Sequence, residues 1–202
     1  MRVLLVFAYL GLSCIAASAD PVAVFNVQWG KGKGKQVRSF AIAFDEKAAA
    51  YTVWNFKRLV NSGFYRKTTI HRVIPDYLIQ GGDPLSKGND KTIVGTGGPG
   101  YTLPAEIRLK HTIGAVAMGR LADIVNPNRQ SNGSQFYICI APIPSQDGKD
   151  TVFGKVVAGF EAVREISHLP ADSNANPITP VVVTKTYIID SSQLGGTPVR
   201  KR

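Results

Sequence analysis

The stretch T-I-H-R-V-I-P-D-Y-L-I-Q-G-G-D, Thr69 to Asp83, decides how this chain is read. Its opening run, Thr69–Ile74, alternates and is rich in β-branched side chains, which predicts a strand. If Ile70 faces one way, Arg72 and Ile74 share that face. A guanidinium among apolar neighbours is costly to bury unless something uses it. The alternative is a solvated arginine on an edge strand. The chain then turns at Pro75-Asp76 and presents Tyr77, Leu78 and Gln80 ahead of a Gly81-Gly82 break.

Outward from this stretch the pattern is mostly β. Val22–Trp29 and Val37–Phe44 have strand composition and are joined by Lys31-Gly32-Lys33-Gly34-Lys35, a solvated hairpin loop. Asp45-Glu46-Lys47 leads into a helix with Val53, Phe56, Leu59 and Val60 on one face, and Gly63 is placed to end it in a left-handed conformation. That helix is expected to cover an open end of a sheet or barrel, with Trp54 in a packing role. Pro84–Lys91 is a polar insertion. Ile113–Met118, Gln135–Ile140, Thr151–Val157 and Val181–Ile189 are further strands, and Phe160–Ile166 is a short helix with Phe160, Val163 and Ile166 on one face. Gly119–Ser131 is a long polar loop of the kind that often carries function. Roughly eight strands and two helices argue for a mainly-β domain, and the pattern leaves sandwich and barrel both open.

A chain of 202 residues suggests one domain with a sizeable core, and 44% hydrophobic with 19% charged content is ordinary for a globular protein. The net charge of +10 is spread out, with clusters at Lys31–Lys35 and Arg200–Arg202. Basicity can mean anionic partners, but no nucleic-acid motif accompanies it, so no nucleic-acid binding is expected. Met1-Arg2, an apolar run and Ala17-Ser18-Ala19 match a secretory signal cleaved before Asp20. The apolar stretch falls just short of the ~18 residues of a spanning helix. A retained anchor and a lipid anchor at Cys14 are the less favoured alternatives; Gly11-Leu12-Ser13 lacks the leucine usual in lipidation signals. The expected organisation is therefore a signal over 1–19, a folded domain over 20–190 and a mobile basic tail over 191–202. The mature protein is expected to be secreted or periplasmic, monomeric and without stable membrane insertion. Cleavage leaves Cys139 as a single thiol, which cannot form an internal disulfide and is expected to be a buried small hydrophobe.

Several chemistries are excluded by residue type and spacing. His71, His111 and His168 show no metal-ligand spacing, so neither metal nor cofactor is expected. Ser134 lies in N-G-S-Q and not in a nucleophile elbow. Gly95–Gly100 formally contains G-x-G-x-x-G, but the extended Tyr101-Thr102-Leu103-Pro104 follows where a dinucleotide site needs a helix. It is a tight loop instead. Asn132-Gly133-Ser134 matches a glycosylation acceptor and is expected to be unmodified.

Four ordered blocks resemble the cyclophilin-type peptidyl-prolyl cis–trans isomerases: His71-Arg72-Val73-Ile74-Pro75 with Gln80-Gly81-Gly82-Asp83; Gly95–Tyr101; Asn132–Ile138; and Asp147-Gly148-Lys149 with Val152–Val156. The resemblance covers Val22–Asp190, nearly the whole mature chain. It implies a closed eight-stranded antiparallel β-barrel with a helix at each end. It also implies an isomerase of proline-containing polypeptides that assists folding. Arg72 is the implied catalytic cation and Gln80 its orienting partner. Tyr77, Leu78, Phe136 and Tyr137 are implied to line or support the apolar pocket, while Gly95, Gln135 and the backbone at Gly119–Arg120 hold the peptide. Departures from the family pattern are Ile70, Tyr77 and Tyr137 where phenylalanine is common, Gly119-Arg120-Leu121 for the Ala-Asn-Ala of many eukaryotic members, with an arginine familiar in bacterial ones, Ser145-Gln146 for an aromatic–leucine pair, and Asp150 for histidine. They predict a pocket wall that is less apolar and more acidic, with weak cyclosporin binding. A proline-peptide-binding chaperone with little turnover is the alternative, and adhesion to anionic polymers is a third.

Overall fold

The computed structural model describes residues 20–88 and 90–195. In chain order the strands and helices are β1 (Pro21–Trp29), β2 (Gln36–Phe44), α1 (Ala50–Asn61), β3 (Thr69–Ile74), β4 (Leu78–Gly81), β5 (Thr102–Leu103), β6 (Ala115–Met118), β7 (Ser131–Asn132), β8 (Phe136–Cys139), β9 (Val152–Ala158), α2 (Phe160–Ser167) and β10 (Val181–Asp190). Eight of the strands close into an antiparallel barrel in the order β1-β10-β3-β4-β8-β6-β9-β2, and β5 with β7 forms a separate two-stranded ribbon. Closure leaves the barrel no open edge for another chain to extend.

The interior is filled by buried side chains. Phe25 meets Phe40, Phe56, Tyr65 and Phe136 with ring centroids 5.3–5.9 Å apart, in stacked, tilted and edge-on arrangements. The helix α1 lowers Val53, Phe56 and Val60 into the same cluster, and α2 adds Val163 and Ile166. These are the apolar faces expected from spacing. Gly63 ends α1 at φ +71°, also as expected. Trp54 differs: it is 62% exposed, with the Arg58 guanidinium 5.1 Å from its ring. It sits on the outward face of α1, one residue beyond inward Val53.

Strand β3 departs from strict alternation. Ile70 pairs with Gly81, but Arg72 pairs with Gln80, so His71 is an extra residue in a β-bulge. Ile70 and Val73 therefore point into the barrel, while Arg72 is exposed and Ile74 packs on the outside. Ile70 and Arg72 do not share a face, contrary to the period-2 expectation. The partner strand β4 was not anticipated, because Leu78–Gly81 is short and ends in glycines. Those glycines are needed. A Cβ on Gly81 would lie 2.8 Å from Ile70 Cδ1, and one on Gly82, at φ +88°, would lie 2.3 Å from the Ser134 carbonyl oxygen.

At the far end the chain stays ordered beyond Asp190. Ser191–Gln193 forms a capped turn, the Ser191 N–H donates to the Asp20 carbonyl at 2.9 Å, and Leu194 packs against the Val22–Val24 cluster. These residues are the first of the expected basic tail over 191–202. The signal over 1–19, Cys14 and residues 196–202 lie outside the described residues. Among the described residues no helix is long and apolar enough to cross a membrane, and no group of His, Cys, Asp and Glu could hold a metal ion. Cys139 is buried, and burial above all pushes its thiol up to about 12.

The two glycine environments predict different costs. Gly82→Ala combines a left-handed backbone with a backbone clash and should destabilise the fold by about 3 kcal/mol. Gly63→Ala meets the left-handed penalty alone, with no atom within 4 Å of the new carbon, and should cost about 1 kcal/mol. Urea denaturation of both variants checks this; equal midpoints would contradict it.

Candidate functional site

The bulge sets up one cross-strand row on the barrel exterior. Gln80 lies opposite Arg72, Tyr137 opposite Gln80, Ala117 opposite Tyr137 and Val152 opposite Ala117. The neighbouring row is Ile74, Leu78 and Cys139. Together with Ala115 and Ile143 these outward side chains form a small apolar cluster, flanked by half-buried Ile74, Tyr77 and Leu109. Arg72 stands exposed at the edge of that cluster. A cation is thereby placed beside an apolar surface on a closed barrel.

A chain of amides fixes the polar side. Arg72 Nη1 donates to Gln80 Oε1 at 3.5 Å, a long bond, and Gln80 Nε2 donates to Gln135 Oε1 at 3.0 Å. Gln135 is 3% exposed, and its Nε2 donates to the carbonyls of Gly95 at 2.9 Å and Gly97 at 2.8 Å. The same loop is tied down by Asp83, which is fully buried and accepts from the N–H groups of Leu85, Gly95 and Gly97. Asn132 completes the clamp: its Nδ2 donates to the Gly97 carbonyl at 2.9 Å, and its Oδ1 accepts from the N–H of Ser134 and Gln135, each at 3.0 Å. The amide nitrogen that a glycan would need is thus in use. Gln80, Gly95, Gly119 and Gln135 line a cleft of about 360 Å³ together with Arg120, Leu121 and Val125.

Gly119 is held between two strands' polar groups: its N–H donates to the Gln135 carbonyl at 2.9 Å and its C=O accepts from the Asn132 N–H at 2.7 Å. The Arg120 side chain is engaged by carboxylates and carbonyls of its own. Its Nε donates to Asp150 Oδ1 at 2.6 Å and to the Lys149 carbonyl at 3.0 Å, and Nη1 pairs with Asp123 at 2.5 Å. Asp150 Oδ2 accepts the Tyr137 hydroxyl at 2.7 Å. His111 then bridges the Tyr137 oxygen at 2.9 Å to Asp147 at 3.0 Å. The His111 backbone N–H and ring hold the Asp147 carboxyl below the usual carboxylate range. Burial, with Asp150 beside it, raises the Tyr137 hydroxyl well above an ordinary tyrosine.

Two sequence expectations change here. Phe136 does not line the site: it is 1% exposed and its ring meets Phe25, Phe56 and Tyr65 inside the barrel, because alternation along β8 sends Phe136 in and Tyr137 out. The wall is also less acidic than Asp150 alone suggested, since that carboxylate is spent on Arg120 and Tyr137. Ser145 is exposed and Gln146 half-buried, in the turn Pro144–Gln146. Arg72, Gln80, Gln135, Gly95 and Gly119 are brought together, with Tyr77, Leu78 and Tyr137 in the adjoining apolar cluster. Asp83 and Asn132, whose bonds shape the cleft, were not singled out as site residues. Their signal was present in the G-G-D and N-G-S-Q runs.

Comparison with known proteins places these features in a family. Residues 33–188 match the model of the cyclophilin type peptidyl-prolyl cis-trans isomerase/CLD family. The chain is 35% identical over 153 residues to peptidyl-prolyl cis-trans isomerase-like 1 of Neurospora crassa, covering 75% of this chain and 88% of that protein. It is 41% identical over 125 residues to peptidyl-prolyl cis-trans isomerase B of Bacillus subtilis, covering 60% and 78%. The crystal structure of a Cryptosporidium parvum cyclophilin type peptidyl-prolyl cis-trans isomerase superposes with a TM-score of 0.66 at 28% identity, covering 83% of this chain and 99% of that one. A barrel closed in this order, an outward arginine beside an apolar cluster and a match over most of its length show that this chain belongs to the cyclophilin-type peptidyl-prolyl cis-trans isomerases.

Proposed function

We propose that this isomerase accelerates rotation about X–Pro bonds in extended polypeptides by donating a hydrogen bond from Arg72 to the prolyl nitrogen of the twisted amide. The observation that carries this is the row Arg72–Gln80–Tyr137 beside the exterior apolar cluster. Rotation about a peptide bond faces a barrier of ~18–20 kcal/mol because the nitrogen lone pair is delocalised into the carbonyl. In X–Pro bonds this makes isomerisation take roughly tens to hundreds of seconds. Midway through rotation the lone pair returns to nitrogen and accepts a hydrogen bond that neither planar form can accept. A donor placed there stabilises the transition state selectively. One charge-assisted bond is worth about 1.5–3 kcal/mol, or roughly ten- to a hundredfold in rate.

The remaining residues position the substrate. Tyr77, Leu78 and Tyr137 offer the apolar surface for the proline ring. Gln80 holds the guanidinium and is itself held by Gln135. Arg120 contributes through its backbone, since its side chain is bound to Asp150 and Asp123. A solved structure of the Cryptosporidium parvum relative was obtained in the presence of the dipeptide Ala-Pro, which is the ligand class this cleft suits. We also infer export with cleavage before Asp20. The N-terminal sequence supports it, as does the start of β1 at Pro21, with the Asp20 carbonyl already bonded to Ser191.

Exchange spectroscopy on a short Ala-Pro peptide tests the mechanism. Arg72→Ala should lower kcat/KM by roughly ten- to a hundredfold, with the fold intact because Arg72 is exposed; equal rates would remove Arg72 from the reaction. Asp150→Ala should destabilise the protein by about 3 kcal/mol, because it leaves Arg120 and the Tyr137 hydroxyl buried with a partner missing. Tyr137→Phe should cost only about 1 kcal/mol. Denaturant titration separates the two, and a harmless Asp150→Ala would show that the network does not support the pocket. Terminal sequencing of the exported protein should begin at Asp20; a retained Met1 would contradict cleavage.

A further inference from the structure

Behind the outward face of Tyr137 three hydrogen bonds run in line: Asp147 Oδ1 to His111 Nδ1 at 3.0 Å, His111 Nε2 to the Tyr137 oxygen at 2.9 Å, and that oxygen to Asp150 Oδ2 at 2.7 Å. The His111 ring lies parallel to the Tyr137 ring, with an interplanar angle of 7°. The His111 side chain is 0% exposed, so bulk water has no access to either nitrogen. Each bond in the line needs one hydrogen between its two heavy atoms.

The two ends of the line fix where those hydrogens sit. Asp150 is the carboxylate of an ion pair with Arg120, whose Nε lies 2.6 Å from Oδ1, so its Oδ2 accepts. The single hydroxyl proton of Tyr137 therefore points to Asp150. At the other end Asp147 Oδ1 also accepts the His111 backbone N–H at 2.8 Å. The His111 backbone and ring hold that carboxyl below the usual carboxylate range, so it too accepts. His111 is left to donate from both nitrogens, Nδ1–H to Asp147 and Nε2–H to the Tyr137 oxygen. A neutral imidazole has only one N–H and leaves one bond of the line unmade.

The ring that completes the line is thus the imidazolium, a cation set between two carboxylates. The charged and titratable groups around it are Asp147 and Asp150 ahead of β9, Tyr137 and Cys139 on β8, Lys110 beside it in the chain and Arg120 behind Asp150. Arg120 is already paired with Asp150 and Asp123. We propose that His111, protonated on both nitrogens, is a positioning residue of the isomerase: it holds the Tyr137 ring in the wall of the proline pocket, and loss of its second proton loosens that wall. This rests on Tyr137 lining that pocket. While the ring keeps both protons every bond of the line is made; as pH rises through its transition, one hydrogen is lost. Asp147 still holds the backbone N–H and Nδ1–H, so the loss falls on the Tyr137 hydroxyl. That hydroxyl then serves Asp150 or His111 Nε2, but not both. Arg72 and Gln80 stand outside the line, so peptide affinity and KM change while kcat does not.

The test follows the His111 ring nitrogens by 15N NMR of the full chain from about pH 5 to about pH 9, with an Ala-Pro peptide titrated at each step. The expected result is hydrogen on both nitrogens at the acid end. The peptide Kd should weaken roughly three- to tenfold through the same midpoint as the ring, with kcat level. Asp147→Asn, a change at a partly exposed position, keeps an acceptor but removes the charge, so ring and Kd transitions should move together to lower pH. His111→Gln should make Kd independent of pH; if that variant does not fold, Asp147→Asn carries the comparison. A single N–H on the ring throughout, a Kd that stays flat through the ring's transition, or an Asp147→Asn that moves neither midpoint would each overturn the proposal. Peptide-induced shifts that miss both Tyr77 and Tyr137 would reject the pocket and this role with it. Neither the ring signals nor Kd reads turnover, so a failure of the Arg72 mechanism shows separately, in kcat.

Discussion

Aromatic and aliphatic side chains pack the interior of the barrel, and the row that carries Arg72 stands on its outer surface. The extra residue in β3 makes that possible. With Ile70 and Val73 both committed to the interior, ordinary alternation has to be broken between them, and the bulge places two residues where one would stand. Arg72 is delivered outward opposite Gln80, and Gln80 opposite Tyr137. The register of three strands therefore aligns a cation, its amide support and an aromatic ring without any loop having to find a conformation.

What surrounds that row is tied together by hydrogen bonds. Asp83, at the end of the same stretch, gathers the N–H groups of Gly95 and Gly97, while Gln135 and Asn132 take the carbonyls of that loop. Behind Tyr137, Asp150 satisfies both a hydroxyl and a guanidinium. Each buried polar group in this wall is matched. That is the condition under which a buried network stiffens a site without weakening the fold. His71 is the exception, and it lies toward the seam with β10.

Much of this was legible in the residues. Strand and helix periodicities located β1, β2, both helices and β10, and the ordered motifs identified the barrel where periodicity could not. Strand β4 is hard to see because Leu78–Gly81 is too short for alternation to register, and Gly81-Gly82 resembles a break although Gly81 sits against the Ile70 side chain and Gly82 against the Ser134 carbonyl. The facing of Arg72 was misjudged because a bulge leaves no mark on composition: T-I-H-R-V-I alternates whether or not one residue is extra. Trp54, expected to pack, is exposed because Val53 beside it occupies the inward position of α1. The acidity assigned to Asp150 was an error of partners. Arg120 lies thirty positions away in the chain, and only the barrel's closure brings it to 2.6 Å.

The central claim is that Gln80 holds Arg72 in its working position, so that the two act as one unit. A double-mutant cycle on kcat/KM, using Arg72→Lys, Gln80→Ala and the pair with an Ala-Pro peptide, tests this most directly. Strong coupling is expected: once Arg72 is lysine, losing Gln80 should matter little, with an interaction energy of about 1 kcal/mol. Strictly additive losses would mean that the guanidinium needs no support from β4, and the row described here would not be the catalytic unit.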